Sequence, residues 1–455
     1  SSHNSERDQQ TFRITIDDTS ATYPLTVDPI ITTPDWTATG ENPGDMFGAV
    51  LGTAGDVNGD GYDDVIVGAR RYDSYRGRAY VYLGSPTGLR ATEVWSNTGE
   101  GGGDHYGWSV GTAGDVNGDG YDDIIVGAHG YDSERGRTYV YHGSVTGPSP
   151  NAVWVATGEK TYDMFGRDVG TAGDVNGDGY SDVIIGAPYN PWSGPDSDPG
   201  KVYVYHGSAT GLEASAAWAA AGENPEDYFG SAVGSAGDVN GDGYADVIVG
   251  AQYNDEGGES AGKAYVYYGG PSGPASTSAD WTAVGEDSDH QLGSAVGTAG
   301  DVNGDGCDDV IVGAFGYDQE RGKAYVYHGS ATGPLIGSAN WTATGEGGWH
   351  YFGFAAGTAG DVNDDGYADV IIGAYGRDSK RGKTYVYHGS STGLTAGWAN
   401  WTKTGEAQED RFGWDVGSAG DVNGDGYDDV IVGAEGHDSF RGKTYVYHGP
   451  LTRQE

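Results

Sequence analysis

The sequence predicts an all-β fold, a seven-bladed β-propeller built from four-stranded antiparallel blades. One acidic segment, written GDVNGDGYDDVIVGA at residues 55–69, recurs in seven nearly identical copies. The copies start 59 to 64 residues apart, a spacing typical of repeat architectures. Each repeat contains four short runs rich in Val, Ile, Tyr and Trp, separated by glycine-rich turns, which favours strands over helices.

Each repeat supplies its strands in a fixed order. An aromatic–glycine pair such as Phe47-Gly48 opens a strand that runs toward the acidic loop. The run DVIVGA at 64–69 follows the loop, and because it is apolar on consecutive residues we expect both its faces to be covered. An alternating run such as AYVYLG at 79–84 forms the next strand, and a segment such as WTATGE at 36–41 forms the outermost. Four such strands match a propeller blade.

The two ends of the chain predict how the ring closes. A Trp36 segment precedes the first complete repeat, whereas the seventh repeat stops after its third strand at 444–449. We therefore expect residues 35–39 to complete the seventh blade, whereas a linear solenoid would need distinct capping repeats. Residues 31–455 then form the propeller, and residues 1–30 form an N-terminal extension outside the ring.

The composition excludes several classes of partner. A formal net charge of −43 argues against binding nucleic acid or an anionic membrane surface, although a halophilic source would also explain it. No apolar run reaches the ~18 residues of a membrane span, so we expect no direct membrane insertion. The single cysteine, Cys307, can form no internal disulfide, which favours a metal-stabilised prokaryotic protein. We expect an extracellular or cell-surface location, as a monomer or as part of a larger multidomain chain.

The acidic loops predict calcium sites. Aligned on its first aspartate, each loop follows D-x-N-x-D-G-Y-x-D, with side-chain oxygens at positions 1, 3, 5 and 9 and a backbone carbonyl at position 7. Calcium takes roughly six to eight hard oxygen ligands, whereas zinc requires His or Cys side chains. A metal-free Asx-rich turn is the alternative, but three carboxylates in nine residues would repel one another without a cation. We therefore expect up to seven Ca²⁺ ions, one per blade, each held by one of the following sets: Asp56, Asn58, Asp60, Tyr62 and Asp64; Asp115, Asn117, Asp119, Tyr121 and Asp123; Asp174, Asn176, Asp178, Tyr180 and Asp182; Asp238, Asn240, Asp242, Tyr244 and Asp246; Asp301, Asn303, Asp305, Cys307 and Asp309; Asp361, Asn363, Asp365, Tyr367 and Asp369; Asp421, Asn423, Asp425, Tyr427 and Asp429.

The repeats resemble FG-GAP repeats, which build the seven-bladed propeller at the head of integrin α subunits. Phe-Gly stands before five of the seven loops, Gly-Ala follows every loop, and the full Gly-Ala-Pro stands at 186–188. The resemblance covers about residues 35–455 and implies an extracellular, calcium-loaded propeller that displays binding loops. All seven loops are complete here, whereas integrin α propellers load calcium in only some blades.

We expect a ligand on the face opposite the acidic loops. Most connections between second and third strands are short and alike, but those at 188–200 and 252–262 carry insertions. Loops on a rigid scaffold usually carry function, with a tolerated surface insertion as the alternative. The candidate ligand-face residues are Trp192, Asp196, Asp198, Trp349 and His350.

These features predict a binding or cell-adhesion module for a protein or glycan ligand, and not an enzyme. The first alternative is a polysaccharide-degrading enzyme, a glycoside hydrolase or lyase, which needs paired carboxylates or a base tuned near neutral pH. His129 and Glu435, which follow Gly-Ala near the axis, are the residues such a site would recruit. The second alternative is a passive, calcium-rigidified spacer, which binds no ligand on either face.

Overall fold

A computed structural model describes residues 33–189, 198–331 and 338–451. Within these ranges, twenty-eight strands form seven antiparallel sheets of four strands each. The first strands of neighbouring sheets pack against one another all the way around a ring. The fold is therefore the all-β, seven-bladed propeller that the repeat predicts. The proposed domain boundary at residue 30 falls outside the described residues and stays a prediction.

The strands and short helical turns follow the repeat in chain order. The chain starts with β1 (Trp36–Thr39). Blade 1 contains β2 (Phe47–Gly55), β3 (Asp64–Ala69), α1 (Tyr72–Tyr75), β4 (Arg78–Tyr82) and β5 (Trp95–Thr98). Blade 2 contains β6 (Ser109–Gly114), β7 (Asp123–Ala128), α2 (Tyr131–Glu134), β8 (Arg137–Tyr141) and β9 (Trp154–Thr157). Blade 3 contains β10 (Asp168–Gly173), β11 (Asp182–Ala187), β12 (Lys201–Tyr205) and β13 (Trp218–Ala221). Blade 4 contains β14 (Ala232–Gly237), β15 (Asp246–Ala251), β16 (Lys263–Tyr267) and β17 (Trp281–Val284).

The remaining three blades repeat this pattern. Blade 5 contains β18 (Leu292–Gly300), β19 (Asp309–Ala314), α3 (Tyr317–Glu320), β20 (Lys323–Tyr327) and β21 (Trp341–Thr344). Blade 6 contains β22 (Ala356–Gly360), β23 (Asp369–Ala374), α4 (Arg377–Lys380), β24 (Lys383–Tyr387) and β25 (Trp401–Thr404). Blade 7 contains β26 (Phe412–Gly420), β27 (Asp429–Ala434), α5 (His437–Phe440) and β28 (Lys443–Tyr447).

The ring closes between the two ends of the chain, as the sequence predicts. Strand β1 pairs antiparallel with β28, with Trp36 opposite Val446 and Thr39 opposite Lys443. Blade 7 is thus completed by the start of the chain. The Trp36 indole is buried, packs edge-on against Tyr82 of blade 1, and donates a hydrogen bond to the Arg90 carbonyl (3.0 Å). The closing strand is therefore joined to blade 1 as well as to blade 7.

The core lies between neighbouring blades. Every residue of the second strands is buried, which confirms that these strands are covered on both faces. In the cluster between blades 1 and 2, Ile66 and Val81 pack with Ile124 and Val126 of the next blade. Burial of these aliphatic side chains, each worth about 1.5–3 kcal/mol, makes the interface between blades the main source of stability.

The antiparallel topology sorts the connections onto two faces. The acidic loops join the first and second strands, so they gather on one face of the disc. The second-to-third and fourth-to-first connections gather on the opposite face, where we predicted a ligand. In five blades the second-to-third connection is a single turn, α1 to α5, whose inner residues are left-handed, as at Asp73 (φ 44°) and Ser74 (φ 61°). Blades 3 and 4, which carry the insertions, form no such turn within the described residues.

Candidate functional site

Each acidic loop folds its first oxygen-bearing side chains back over its own backbone. In the loop between β2 and β3, the Asp60 and Gly61 N–H groups donate to the two carboxylate oxygens of Asp56 (3.1 and 2.8 Å). Asn58 Oδ1 accepts from the Asp60 N–H (2.9 Å), and Asp60 Oδ1 accepts from the Tyr62 N–H (3.3 Å). The bonds to the first aspartate recur in all seven loops. The oxygens at positions 1, 3 and 5 are thereby held in one tight turn.

The ninth residue of each loop is a buried aspartate that anchors the loop. Asp64 is 0% exposed, and its two oxygens accept hydrogen bonds from the N–H groups of Val57 (3.0 Å) and Gly84 (2.8 Å). Burial, together with the negative charge of Asp56 and Asp60, raises the pKa of Asp64 to about 8. The same causes raise the pKa of the six equivalent aspartates to about 7 or 8: Asp123, Asp182, Asp246, Asp309, Asp369 and Asp429.

Basic side chains do little to balance this negative charge. Within the described residues, Asp60 is the only loop ligand candidate in an ion pair, and its partner Arg90 lies 3.8 Å away. The basic residue that opens each third strand instead pairs with the glutamate that follows a fourth strand. These pairs are Arg78–Glu41, Arg137–Glu100, Lys201–Glu159, Lys263–Glu223, Lys323–Glu286, Lys383–Glu346 and Lys443–Glu406, at 2.6–2.8 Å.

The oxygen donors of each loop fit a hard cation in chemical type. Carboxylate, amide and carbonyl oxygens are the ligands that calcium prefers, and a cation would stabilise carboxylates that burial otherwise drives to protonate. The side chains are not arranged as a finished coordination shell. In the parts of the chain that the structure describes, no three His, Cys, Asp or Glu side chains are grouped so as to hold a metal ion. The ligand sets expected from the sequence therefore stay predictions.

The seven loops are hydrogen-bonded to one another in a closed ring, which the sequence analysis missed. The N–H of the eighth loop residue donates to the carbonyl of the first loop residue in the preceding blade, at 3.0–3.2 Å. The donor and acceptor pairs are Asp63 and Asp421, Asp122 and Asp56, Ser181 and Asp115, Ala245 and Asp174, Asp308 and Asp238, Ala368 and Asp301, and Asp428 and Asp361. Each loop therefore contacts the next at the backbone of a proposed metal ligand.

In four blades the eighth residue is an aspartate, and its carboxylate adds a second bond. Asp122 Oδ2 accepts from the Asp56 N–H of the preceding blade (2.9 Å). The equivalent acceptors in the other three blades are Asp308, Asp428 and Asp63, at 2.7–2.9 Å. Recurrence of aspartate at position 8 in four of seven loops was the signal in the sequence that could have pointed to this contact.

Position 7 also contributes to the contact between loops. A Cβ at Gly59, the fourth residue of the first loop, would lie 2.8 Å from the Tyr121 ring of the next loop. Cys307 takes the same place against Gly241, with its Sγ 3.2 Å from such a Cβ. The side chain at position 7 therefore packs between blades, in addition to the carbonyl role predicted for it.

The candidate ligand-face residues are spread over separate blades. Trp192 and Asp196 lie outside the described residues. Asp198, in the connection from β11 to β12, forms an ion pair with Lys160 (2.9 Å). Trp349 is 63% exposed and His350 is half-buried, both in the connection from β21 to β22. Among the described contacts, none joins Asp198 to this second pair, so they do not form one compact site.

A pocket of about 560 Å³ opens at the axis of this same face. Its walls come from residues that follow the aromatic–glycine and Gly-Ala pairs of the repeats. The Arg70 guanidinium lies near the faces of Trp108 (4.6 Å to the ring centre) and Trp414 (5.5 Å). Arg70 also pairs with Glu435 (2.6 Å), whose second oxygen pairs with Arg411 (2.7 Å). Aromatic rings and guanidinium groups thus alternate around part of the axis.

The two residues considered for catalysis are not in direct contact. His129 is buried, stacks with His105 (5.1 Å between ring centres) and touches Trp108 (4.3 Å). Burial and the nearby charge of Arg167 hold the pKa of His129 well below its usual range. Glu435 is 0% exposed and lies between two arginines. No described contact brings His129 and Glu435 together as an acid–base pair.

Comparison with known families agrees with this architecture. The FG-GAP repeat family matches residues 47–82, 106–141, 165–205, 229–267 and 412–447. A related FG-GAP-like repeat family matches residues 301–372. The matched segments in the first family run from the aromatic–glycine pair through the acidic loop to the third strand, which is the unit that recurs in the chain.

Curated relatives of the chain are integrin α subunits. It is 33% identical to integrin alpha-PS2 of Drosophila melanogaster over 220 residues, which cover 44% of this chain and 15% of that protein. It is 35% identical to human integrin alpha-6 over 156 residues, 34% of this chain and 13% of that protein. It is 32% identical to integrin alpha-8 of Gallus gallus over 234 residues, 48% of this chain and 20% of that protein. Each match thus spans a fifth or less of the relative.

A solved structure shares the fold at low sequence identity. The crystal structure of BBS1N in complex with ARL6DN matches with a TM-score of 0.51 and 11% identity, covering 92% of this chain and 97% of that one. Among the described residues, no helix has the length and apolar character needed to cross a membrane. The recurring repeat, the integrin relatives and the ring of seven blades together show that the chain is an integrin-like FG-GAP β-propeller.

Proposed function

We propose that this chain is a calcium-binding, extracellular ligand-binding module that acts in adhesion at a prokaryotic cell surface. The observation that carries the proposal is the buried ninth aspartate of each loop, which has a raised pKa and no basic partner among the described residues. Calcium at each loop would supply the missing positive charge. Seven ions would add fourteen charges and bring the formal charge from −43 to −29.

Calcium binding to the folded state favours folding, because the ligands of each loop come together only in the native turn. For each independent site the gain is about 2.7 kcal/mol at a calcium concentration one hundred times the dissociation constant. The backbone bonds between loops would let this stabilisation act on the whole ring. The face opposite the loops is then held rigid for display.

The proposed partner is a protein or glycan that docks on the face opposite the loops. The exposed Trp349 indole and the axial pocket both lie there. The relatives' name, integrin, supports an adhesion role outside the cell, and the matches cover 44% and 34% of this chain. We infer no catalytic activity, because Glu435 is held between two arginines, His129 is enclosed by ring contacts, and the axial carboxylates Asp168 and Asp415 accept hydrogen bonds from the protein.

The test is retention of purified protein on immobilised polysaccharides and matrix proteins, with calcium and after chelation. Soluble products are assayed in the same incubations, and circular dichroism confirms that the fold persists in each buffer. Calcium-dependent retention without released fragments supports the proposed function. Released fragments would establish an enzyme instead, and no retention on any surface would leave a spacer.

A further inference from the structure

The seven repeats are nearly identical in their loops but differ at the axis. The difference lies at two positions in each blade: the residue after the aromatic–glycine pair and the residue after Gly-Ala. The first set is Ala49, Trp108, Arg167, Ser231, Ser294, Phe354 and Trp414, and the second is Arg70, His129, Pro188, Gln252, Phe315, Tyr375 and Glu435. These positions vary from blade to blade, whereas the acidic loop recurs almost unchanged.

Because of this variation, the side chains that line the axial pocket differ in size from one side to the other. Blades 6, 7, 2 and 3 contribute large side chains, namely Phe354, Trp414, Trp108 and Arg167. At the same position of the repeat, blades 4, 5 and 1 contribute the small Ser231, Ser294 and Ala49, while Gln252, Tyr253 and Phe315 line other parts of the pocket. The free volume of about 560 Å³ is within the range of about 300–1,000 Å³ typical of small-ligand sites.

Two hydrogen-bond donors in this pocket lack partners. Arg167 lies over the Trp108 ring (4.5 Å), and its buried Nε has no hydrogen-bond partner among the described residues. The Ser231 hydroxyl, on the adjacent blade, is buried and likewise without a described partner. Buried donors are normally satisfied, and a charged one above all. Both atoms are closed to solvent, so an oxyanion in the pocket would reach them only after the two side chains rotate toward it.

The carboxylates of the pocket are already engaged by the protein. Asp168 accepts hydrogen bonds from the Ser109 hydroxyl (2.9 Å) and the Val233 N–H (2.8 Å). Asp415 accepts from the Leu51 N–H (2.9 Å). Within the described residues, neither carboxylate forms an ion pair with Arg167. The guanidinium is therefore available to pair with an anionic ligand. Lone pairs that remain on these carboxylates can accept from hydroxyl groups.

We propose that the axial pocket binds an acidic sugar, whose carboxylate or sulfate contacts Arg167 and Ser231. Arg presents a planar fork that matches a carboxylate or sulfate with two hydrogen bonds. The apolar side of a sugar ring packs on Phe354 or Trp414, and its hydroxyls reach Asp168 and Asp415. A bare phosphate would leave the aromatic wall unused. This inference rests on the proposed function, because it names the ligand class of that same face.

The test is isothermal titration of the full chain with three soluble sugars: a uronic acid trisaccharide, a sulfated disaccharide and a neutral glucose trisaccharide. We expect at least one acidic sugar to bind and the neutral one to bind at least tenfold more weakly. R167Q should lower the affinity for the acidic sugar at least tenfold, and S231A should lower it several-fold. R167K should lower the affinity less than R167Q does. R71Q is the matched control, since Arg71 is exposed beside Arg70 and outside the pocket, and it should change affinity less than twofold.

Equal binding of acidic and neutral sugars, or equal losses in R167Q and R71Q, would overturn the inference, as would no binding of either acidic sugar. The calcium-dependent retention assay is run on the same preparations. If the chain is retained on a surface but binds no sugar in the titrations, only the proposed sugar site is contradicted. Failure of both would sink the proposed function as well. Melting curves of each variant show whether a loss of binding comes from loss of fold.

Discussion

Asp122 of blade 2 accepts a hydrogen bond from the backbone N–H of Asp56 in blade 1, and its own N–H donates to the Asp56 carbonyl. The first residue of one proposed calcium loop is thus held on both sides of its backbone by the eighth residue of the next. We expect D122A to lower the free energy of unfolding by about 1–2 kcal/mol, because a bond to a charged acceptor is lost. Ser181 is at the equivalent position of the next loop, but its side chain forms no described hydrogen bond to the preceding loop. S181A should therefore change the free energy of unfolding by less than about 0.5 kcal/mol. Urea unfolding in calcium measures both, and equal effects would contradict the role of the carboxylate.

The approach of neighbouring loops also explains one glycine. Gly55 has a φ of 71°, and a Cβ there would collide with the Asp122 side chain. We expect G55A to destabilise the fold by about 2–4 kcal/mol, because it combines a left-handed backbone with a steric clash. Gly52 on the same strand has no atom within 4 Å of such a Cβ and no positive φ, so G52A is the control. Thermal melting of the two variants should differ clearly, and similar melting temperatures would contradict the close approach.

Ring closure depends on the first strand of the chain. Replacement of the buried Trp36 by alanine removes its edge-on contact with Tyr82 and its hydrogen bond to the Arg90 carbonyl. We expect W36A to cost about 3–5 kcal/mol, as large-to-small core changes do. Trp398 is 80% exposed, so W398A should cost less than about 0.5 kcal/mol. If W36A melts at the temperature of W398A, the closing strand contributes little to the stability of the ring.

A buried carboxyl at the axis predicts a pH effect. Burial raises the pKa of Asp415 to about 7 from an ordinary value of 3.8. Between these two values the folded chain holds a proton that the unfolded chain releases, so the contribution of this group to stability falls as the pH rises. At saturating calcium, the melting temperature of wild type relative to D415N should therefore decrease from pH 5 to pH 7.5. The exposed Asp132 provides the control variant D132N, whose difference from wild type should not follow that trend. A wild-type–D415N difference that stays constant across this range would contradict the assignment.

The sequence was sufficient for the blades because the repeat restates the same strands seven times. Trp36 stands ahead of the first complete repeat and the seventh repeat stops after its third strand, and these two positions together predicted the closing strand, which the structure confirms. The contacts between blades could not be predicted in the same way. Arg70 and Glu435 are 365 positions apart and meet only because the ring places blade 7 beside blade 1. Their pairing follows from closure and not from any local pattern.

The functional residues also fall into those that lie within one stretch of sequence and those that come together from several blades. The acidic loops are local turns, so their oxygen donors could be read in order along the chain. The axial pocket draws its walls from different blades, and no single stretch of sequence contains it. The residues after Gly-Ala were expected near the axis, and His129 and Glu435 were the candidates there, whereas Arg167 and Ser231 are the ones with donor atoms that lack a partner among the described residues.

The number of calcium ions bound per chain decides whether the acidic loops are metal sites. Calcium-free protein is titrated calorimetrically, and bound metal is counted after dialysis. We expect seven ions per chain, a higher melting temperature in calcium, and six ions for D178A, which removes the exposed carboxylate at position 5 of the third loop. The exposed Glu93 lies outside the loops, so E93A should still bind seven. Absence of calcium binding, or an unchanged count in D178A, would contradict the account of the acidic loops as metal sites.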